Sequence, residues 1–474
     1  MSPATPLPYG ADMAELRRSH PSLWRAEARA TMALAWPLIL TNVAQSLIHA
    51  TDVILLGRAG ARTLAAATLG LNIYFAFLIF GMGLVTAAAP MLAQELGARR
   101  HSVRDLRRTV RQAMWASVAI AVPIWIVLWN SGAILIALGQ EPTLARDAEI
   151  FVRALQWGLL PYLFYLVLRS FISALEKPLW SLVVGLACVV YNGVINYGLI
   201  FGELGLPKLG LLGAGIGSAS ANLFMFLGMA AVVMLHPRFR RYHLFGRFWR
   251  SDWARFREIW RIGLPIAVTL GLEITVFNAA VFLMGLIGAE SIAAHAVAIQ
   301  IAALTFMVPL GLGQAVTVRV GLAYGRRDRE GVAVAGWTSF LLGVGFMTLM
   351  ALLIIAIPDR LVLAVLGEVT PENAAVYSLA VSFLIVAAFF QVFDGAQVVG
   401  AGMLRGLGDT KVPMIYAAVG YWAIGLTTGV ALAFGAGWDG VGIWTGLATG
   451  LGIVAMLMLM RWLRRERLGL LDWG

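Results

Sequence analysis

Apolar residues run along this chain in long unbroken stretches, not in the alternation of a strand or the narrow stripe of a soluble helix. Stretches long enough to cross a bilayer of about 30 Å as helices fall near 33–57, 64–93, 113–138, 148–172, 179–201, 211–235, 262–285, 292–322, 333–357, 374–402, 413–434 and 440–462. This pattern predicts twelve spanning helices. Short connections with breakers separate them, as at 58–62, 176–178 and 435–440. The longest connection, 236–261, is basic and aromatic, and Trp249, Trp253 and Trp260 suit it to the membrane surface.

The chain repeats itself. A shift of 228 residues lays Pro37 on Pro265, Gly57 on Gly285, Gly60 on Gly288, Gly83 on Gly311 and Gly97 on Gly325. Each half carries six spans, so both share one orientation, related by a pseudo-two-fold axis along the membrane normal, with a site between them near the midplane. The predicted fold is an all-α integral membrane protein of two six-helix lobes. Its parts are an N-terminal segment 1–32, an N-lobe 33–235, a linker 236–261, a C-lobe 262–462 and a tail 463–474. Pro37 and Pro265 are expected at the start of each half's first helix, where a missing N–H is tolerated, and Pro309 at a mid-helix kink.

Composition agrees. Of 474 residues 60% are hydrophobic and 13% charged, which a soluble domain of this size could not accommodate. The net charge of +11 is positive-inside bias and not a nucleic-acid footprint. With the N-terminus cytoplasmic, about 29 Lys and Arg fall inside against about 6 outside, placing both termini in the cytoplasm. Residues 1–30 are polar and amphipathic and do not read as a cleavable signal. Arg319, near the inner end of helix 8, is expected to snorkel to the interface. Cys188, the single cysteine, rules out a disulfide framework or a cysteine-based metal site.

Of 25 carboxylates, only Asp52, Glu273 and Asp394 fall well inside spans. A charge at that depth costs about 2.5–3.5 kcal/mol on insertion scales, so each marks a site. Glu273 is mid-span in helix 7, and the repeat sets it opposite Gln45 in helix 1. In helix 10, Phe390, Asp394, Gln397 and Ala401 share one face, expected to look into a cavity. Two carboxylates in one low-dielectric cavity resist double ionisation, so the pair can carry a proton or hold Na+ through oxygen ligands. The plainer alternative is an interhelical hydrogen bond. Asp52 is either a site residue or an interfacial carboxylate capping the loop at Arg58. Asn192 and Asn196 share a face of helix 5, for function or simply for helix–helix bonding. His295 in helix 8 is read as a buried, hydrogen-bonded imidazole near the outer end. Asn278, Gln300 and Gln314 are candidate cavity residues. Arg405 and Asp409 read as anchoring and a helix stop with Gly406 and Gly408. Aromatic and Met residues such as Phe277, Phe306 and Met307 read first as packing.

Several segments resemble one family. The stretch from Ala35 through Gln45 and Asp52 to Gly60 resembles the first helix of multidrug and toxic compound extrusion (MATE) transporters. So do 64–69, 90–98, 293–298, 315–321 and 404–410, and the likeness extends over both halves, nearest the NorM-type branch. It implies an antiporter in the bacterial inner membrane, acting as a monomer without a cofactor. It would export a lipophilic or cationic organic compound by alternating access, in exchange for H+ and/or Na+. It also implies that Glu273 and Asp394 bind the coupling cation. A tyrosine frequent one turn before the helix-10 aspartate is Phe390 here, which removes a hydroxyl from a Na+ site. Asp52, Asn192, Asn196 and Ser218 resemble the polar cluster of the DinF-type branch, with Asn196 in place of its usual aspartate. Membrane lipid is the other expected partner. A flippase for a lipid-linked precursor is the alternative; it calls for an arginine-lined central cavity, whereas the charges read inside the spans are acidic. No catalytic cluster and no GxxxxGK[ST] loop is present, which argues against an enzyme or an ATP-driven pump.

Overall fold

A computed structural model describes residues 21–98, 103–246 and 248–473; the expectations for residues 1–20 lie outside them. The apolar runs all become helices long enough to span a membrane. They are α1 (Pro21–Ala59), α2 (Ala61–Ala98), α3 (Val103–Trp129), α4 (Pro142–Ala174), α5 (Leu179–Phe201), α6 (Gly210–Leu235), α7 (Trp253–Ile287), α8 (Ala289–Gly325), α9 (Arg329–Ala356), α10 (Ala374–Gly406), α11 (Lys411–Gly435) and α12 (Asp439–Leu463). Among the described residues no strand forms.

Helix ends depart from expectation where charge hides a helix. The third span ends at Trp129, and 131–137 form a separate short helix after Asn130, whose side chain bonds back to the Ile126 carbonyl at 2.8 Å. α7 starts at Trp253, inside the expected linker, because the Asp252 carboxylate caps it by accepting from the Arg255 N–H. Pro37 and Pro265 therefore sit inside α1 and α7, not at their starts. Each leaves a gap in the backbone ladder, and each is followed one turn later by a threonine. Thr41 donates to the Pro37 carbonyl at 2.6 Å and Thr269 to the Pro265 carbonyl at 2.8 Å. The two pairs are related by the 228-residue repeat. Pro309 lies inside an unbroken α8. α11 contains π-helical turns at Ala418–Leu426 and Ala431–Gly435.

Two apolar cores follow the two halves, but the proline helices cross over. Leu34, Ala35 and Leu38 of α1 pack in the C-lobe core, while Ile259, Ile262 and Ile266 of α7 pack in the N-lobe core. The lobes meet through pairs related by the pseudo-two-fold, as in an isologous interface. A Cβ on Gly83 would meet Ala267 Cα at 2.2 Å, and one on Gly311 would meet the Ile39 side chain at 2.4 Å. Gly97 lies against the Leu322 carbonyl and Gly325 against the Gln94 carbonyl, leaving 2.2 and 2.0 Å for a Cβ. All these contacts lie in the halves of α1, α2, α7 and α8 nearest the basic end, which carries loop 236–252 and the C-terminal tail. The lobes are joined at that end.

Polar contacts reinforce the junction. Arg319 of α8 does not snorkel; it pairs with Glu27 of α1 and Glu176 of the α4–α5 loop. Gln94 donates to the Gly406 carbonyl at 2.8 Å. The linker folds onto α3: Trp115 donates to the Phe248 carbonyl at 3.1 Å, Arg108 pairs with Asp252 at 2.6 Å, and Trp249 stays 83% exposed as a membrane-surface anchor would.

Gly325→Ala places a methyl on the Gln94 carbonyl and destabilises the joined arrangement by about 1–3 kcal/mol. Spin labels at positions 177 and 327 should then show a longer distance in a larger fraction of molecules. An unchanged distribution would mean that this contact does not hold the lobes together. Arg319→Gln leaves Glu27 unpaired and is expected to widen the same distance, at a cost of about 1–3 kcal/mol; an unaltered distance would make the ion pairs incidental.

Candidate functional site

Because the lobes join at one end, a cleft opens toward the other. The contact rows show which side chains wall it. On α1, Ile39 meets Gly311 and Ser46 donates to the Met307 sulfur at 3.8 Å, so Val53 lies on the same row further out. On α8, Gln300 continues the row of Gly311 and Met307, and on α7, Asn278 continues the row of Ala267 and Gly271. Ser46, Val53, Asn278 and Gln300 are all exposed. His49 of α1, which the sequence reading passed over, is exposed too and meets the Phe75 ring edge-on at 5.1 Å.

Glu273 and Asp394 are brought together in the C-lobe, close enough to act on one another's charge. Glu273 is half-buried. Asp394 is 6% exposed, and its Oδ1 has no hydrogen-bond partner. The face Phe390, Asp394, Gln397, Ala401 does not look into an open cavity as expected; all four are buried inside the lobe. Phe390 packs edge-on against Trp444 at 5.3 Å and against Phe277 at 5.9 Å. Around the carboxylates lie Gln397 of the predicted face and, besides it, polar groups that sequence pattern did not mark. Thr305 donates to Gln391 Oε1 at 2.7 Å, while Gln391 Nε2, Gln397 Oε1 and the Tyr421 hydroxyl are buried without partners. Tyr421 stands in the π-helical part of α11, within the electrostatic reach of both carboxylates. Carboxylate, amide and phenol oxygens gather here, the ligand type that a proton or a small hard cation takes, beside unpartnered donors at Gln391 Nε2 and the Tyr421 hydroxyl. His295 is buried against Trp444 at 5.3 Å, but its Nδ1 bonds nothing, contrary to the expected hydrogen bond.

The N-lobe cluster is arranged differently. Asp52 is buried, and it accepts from Asn196 Nδ2 at 2.7 Å and from the Ser218 hydroxyl at 3.1 Å. It points into the lobe and does not cap the loop at Arg58. The amide of Asn196 lies flat on Gly217, where a Cβ would come within 1.7 Å of its Oδ1. Asn192 is buried beside the same carboxylate without completing a hydrogen bond. Gln45, near Tyr165, has an unpartnered Nε2.

A third polar place lies at the junction itself. A cavity of about 90 Å³ between the lobes is lined by Arg169, Ser170 and Ser173 of α4, Thr86 of α2, Gln314 of α8 and Arg405 of α10. Gln314 thus belongs to the junction and not to the C-lobe pocket. Arg169, 7% exposed, donates through one Nη2 to Asn42 Oδ1 and Gln314 Oε1, both at 2.8 Å. Sequence reading missed it because it falls near the end of an apolar run. Arg405 is no mere anchor, since it lines this cavity and reaches Glu273 electrostatically. Asp409 keeps the structural role expected of it, paired to Arg461 beside the positive-φ turn at Gly408. Among the described residues no group of three or more His, Cys, Asp or Glu is placed to hold a metal.

The MatE family profile matches residues 37–198 and 265–431, one copy in each lobe. The chain is 59% identical over 451 residues to "Probable multidrug resistance protein NorM" of Mesorhizobium japonicum, covering 95% of this chain and 97% of that one. It is 53% identical over 456 residues to the Brucella suis protein of the same description, covering 96% and 97%. The fold matches that of a variant of the Vibrio cholerae MATE transporter VcmN with a TM-score of 0.85 at 16% identity, over 95% of this chain and 99% of that one. Twelve spanning helices, a duplicated family signature and relatives matched almost end to end agree: the chain belongs to the MatE family of membrane transporters.

Proposed function

We propose that this transporter exports lipophilic or cationic organic compounds, a reading in keeping with the multidrug resistance named for its relatives, in exchange for a coupling cation taken up at Glu273 and Asp394. The observation that carries the reading is the C-lobe pocket. A buried aspartate with an unpartnered oxygen, set beside a second carboxylate, is costly when both are ionised, and a bound proton or Na+ relieves that cost. The Phe390 ring, turned onto Trp444 and Phe277, withholds an oxygen from the pocket, which favours the proton over Na+. The compound would enter the cleft walled by Ser46, Val53, Asn278 and Gln300, and cation uptake at the carboxylates would weaken its hold. Asp52, already satisfied by two donors, is assigned a weaker part in the same electrostatics. The basic end is placed in the cytoplasm by charge bias, so the cleft faces outward in this conformation. A flippase for a lipid-linked precursor is the less favoured reading, because the arginine-lined cavity of about 90 Å³ is too small for a diphosphate–sugar headgroup.

Everted vesicles carrying a fluorescent organic cation test this. Glu273→Gln and Asp394→Asn are each expected to reduce pH-gradient-driven transport at least about tenfold with membrane insertion intact. Unimpaired transport in both would sink the proposal, and transport driven by a Na+ gradient alone would replace the proton with Na+. Asp52→Asn keeps most of its hydrogen bonds and is expected to slow transport by only about two- to threefold. A loss as large as that of Asp394→Asn would move the coupling site into the N-lobe.

A further inference from the structure

We infer that the junction cavity is an anion site, taking one small anionic group between Arg169 of the N-lobe and Arg405 of the C-lobe. Two guanidinium groups line a cavity of about 90 Å³, and none of its lining residues is a carboxylate. Arg169 is more than nine-tenths buried, and its hydrogen bonds go to the neutral amides of Asn42 and Gln314. Among the described residues Arg405 makes no ion pair within bonding distance; the carboxylate it senses is Glu273. The acids near the basic end are engaged elsewhere, Glu27 and Glu176 with Arg319 and Asp409 with Arg461. Two like charges facing one cavity with no carboxylate in its lining are unfavourable, and an anion between them offsets the repulsion and accepts from the guanidinium N–H groups.

The volume exceeds the roughly 10–15 Å³ that one water requires, leaving room for a chloride with a few waters or for a carboxylate group. Because one arginine comes from each lobe, the anion is bound only while the basic end is joined, and it stabilises that conformation. Because Arg405 is shared with the field of Glu273, neutralising Glu273 strengthens the hold on the anion. The shared chemistry has two sources, a free inorganic anion or the carboxylate of a zwitterionic transported compound.

Only the transport measurements below rest on the proposed export; the stability measurement needs no gradient and stands or falls alone. Full-length protein is held at fixed ionic strength and fixed Na+ while gluconate is replaced by chloride or by acetate, and thermal unfolding is followed by tryptophan fluorescence. A saturable rise of about 2 °C in the midpoint with chloride or acetate, absent in Arg405→Gln, is the expected result. Equal midpoints in all three salts, or a rise retained in Arg405→Gln, would overturn the site. If Arg405→Gln does not fold, chloride-35 NMR of the wild type takes its place: line broadening displaced by acetate supports the site, and no broadening refutes it. In proteoliposomes, slower transport of both a fluorescent zwitterion and its methyl ester when chloride is withdrawn identifies the free anion. Slower transport of the zwitterion alone in Arg405→Gln, or in Arg405→Lys, identifies the substrate carboxylate. Transport indifferent to both changes would overturn a part for the anion in transport, with the site itself decided by the unfolding measurement.

Discussion

The two lobes touch backbone to backbone at one end of the molecule, and the arrangement of every polar site follows from that contact. Gly97 and Gly325 let helices α2 and α8 approach until a carbonyl occupies the space a methyl would need, and one step further in Gly83 and Gly311 give Ala267 of α7 and Ile39 of α1 a similarly close approach. Dispersion between apolar side chains is weak discrimination inside a membrane, where lipid offers similar contacts; close helix approach through small residues is what distinguishes partner from solvent. With one end held in this way the helices diverge toward the other. The arginine cavity lies between the lobes at the junction, while Asp394 is buried inside the C-lobe.

The duplication explains why the junction is so regular. Ile39 and Ala267, and Gln94 and Leu322, are corresponding residues of the two halves, and each performs its twin's contact across the axis, while Thr41 and Thr269 repeat one bond within their own helices. The crossing of α1 and α7 into opposite cores carries this further, since neither lobe completes its core at the basic end without a helix from the other. Separation of the lobes at that end therefore exposes apolar surface as well as breaking the pairs of Arg319, so it is a change between two packed states and not a gradual loosening.

Much of this was legible in the sequence, because a membrane makes sequence unusually literal. Continuous apolar runs gave the helices, glycines in register gave the repeat, and charge within a run singled out Glu273, Asp394 and Asp52. The misreadings share one cause: amphipathic helix ends look like loops. Charges from Trp253 to Arg261 disguised the start of α7 as linker, and so put Pro265 at a terminus it does not occupy. Arg169, near the end of an apolar run, drew no reading, whereas the helix places it 7% exposed at the lobe interface. Gln391, Thr305 and Tyr421 carry no signal of their own, since an uncharged polar residue in an apolar helix is common; only the packing of α8, α10 and α11 assembles them around Asp394.

The lobes, alike in chain path, are unlike in how their buried polar groups are met. Asp52 has two donors aimed at it, while Asp394, Gln391, Gln397, Tyr421 and Trp444 all present buried atoms without partners. A satisfied network holds one geometry, whereas an unsatisfied one has little to lose by rearranging when a partner arrives. In mechanical terms Asp52 with its two donors is a fixed point of the N-lobe, although Asn192 and Gln45 near it keep unpartnered atoms. The C-lobe carboxylates stand beside the wide π-helical turns of α11 with Asp394 Oδ1 unpartnered, so of the two acidic clusters this one has the less to lose by rearranging.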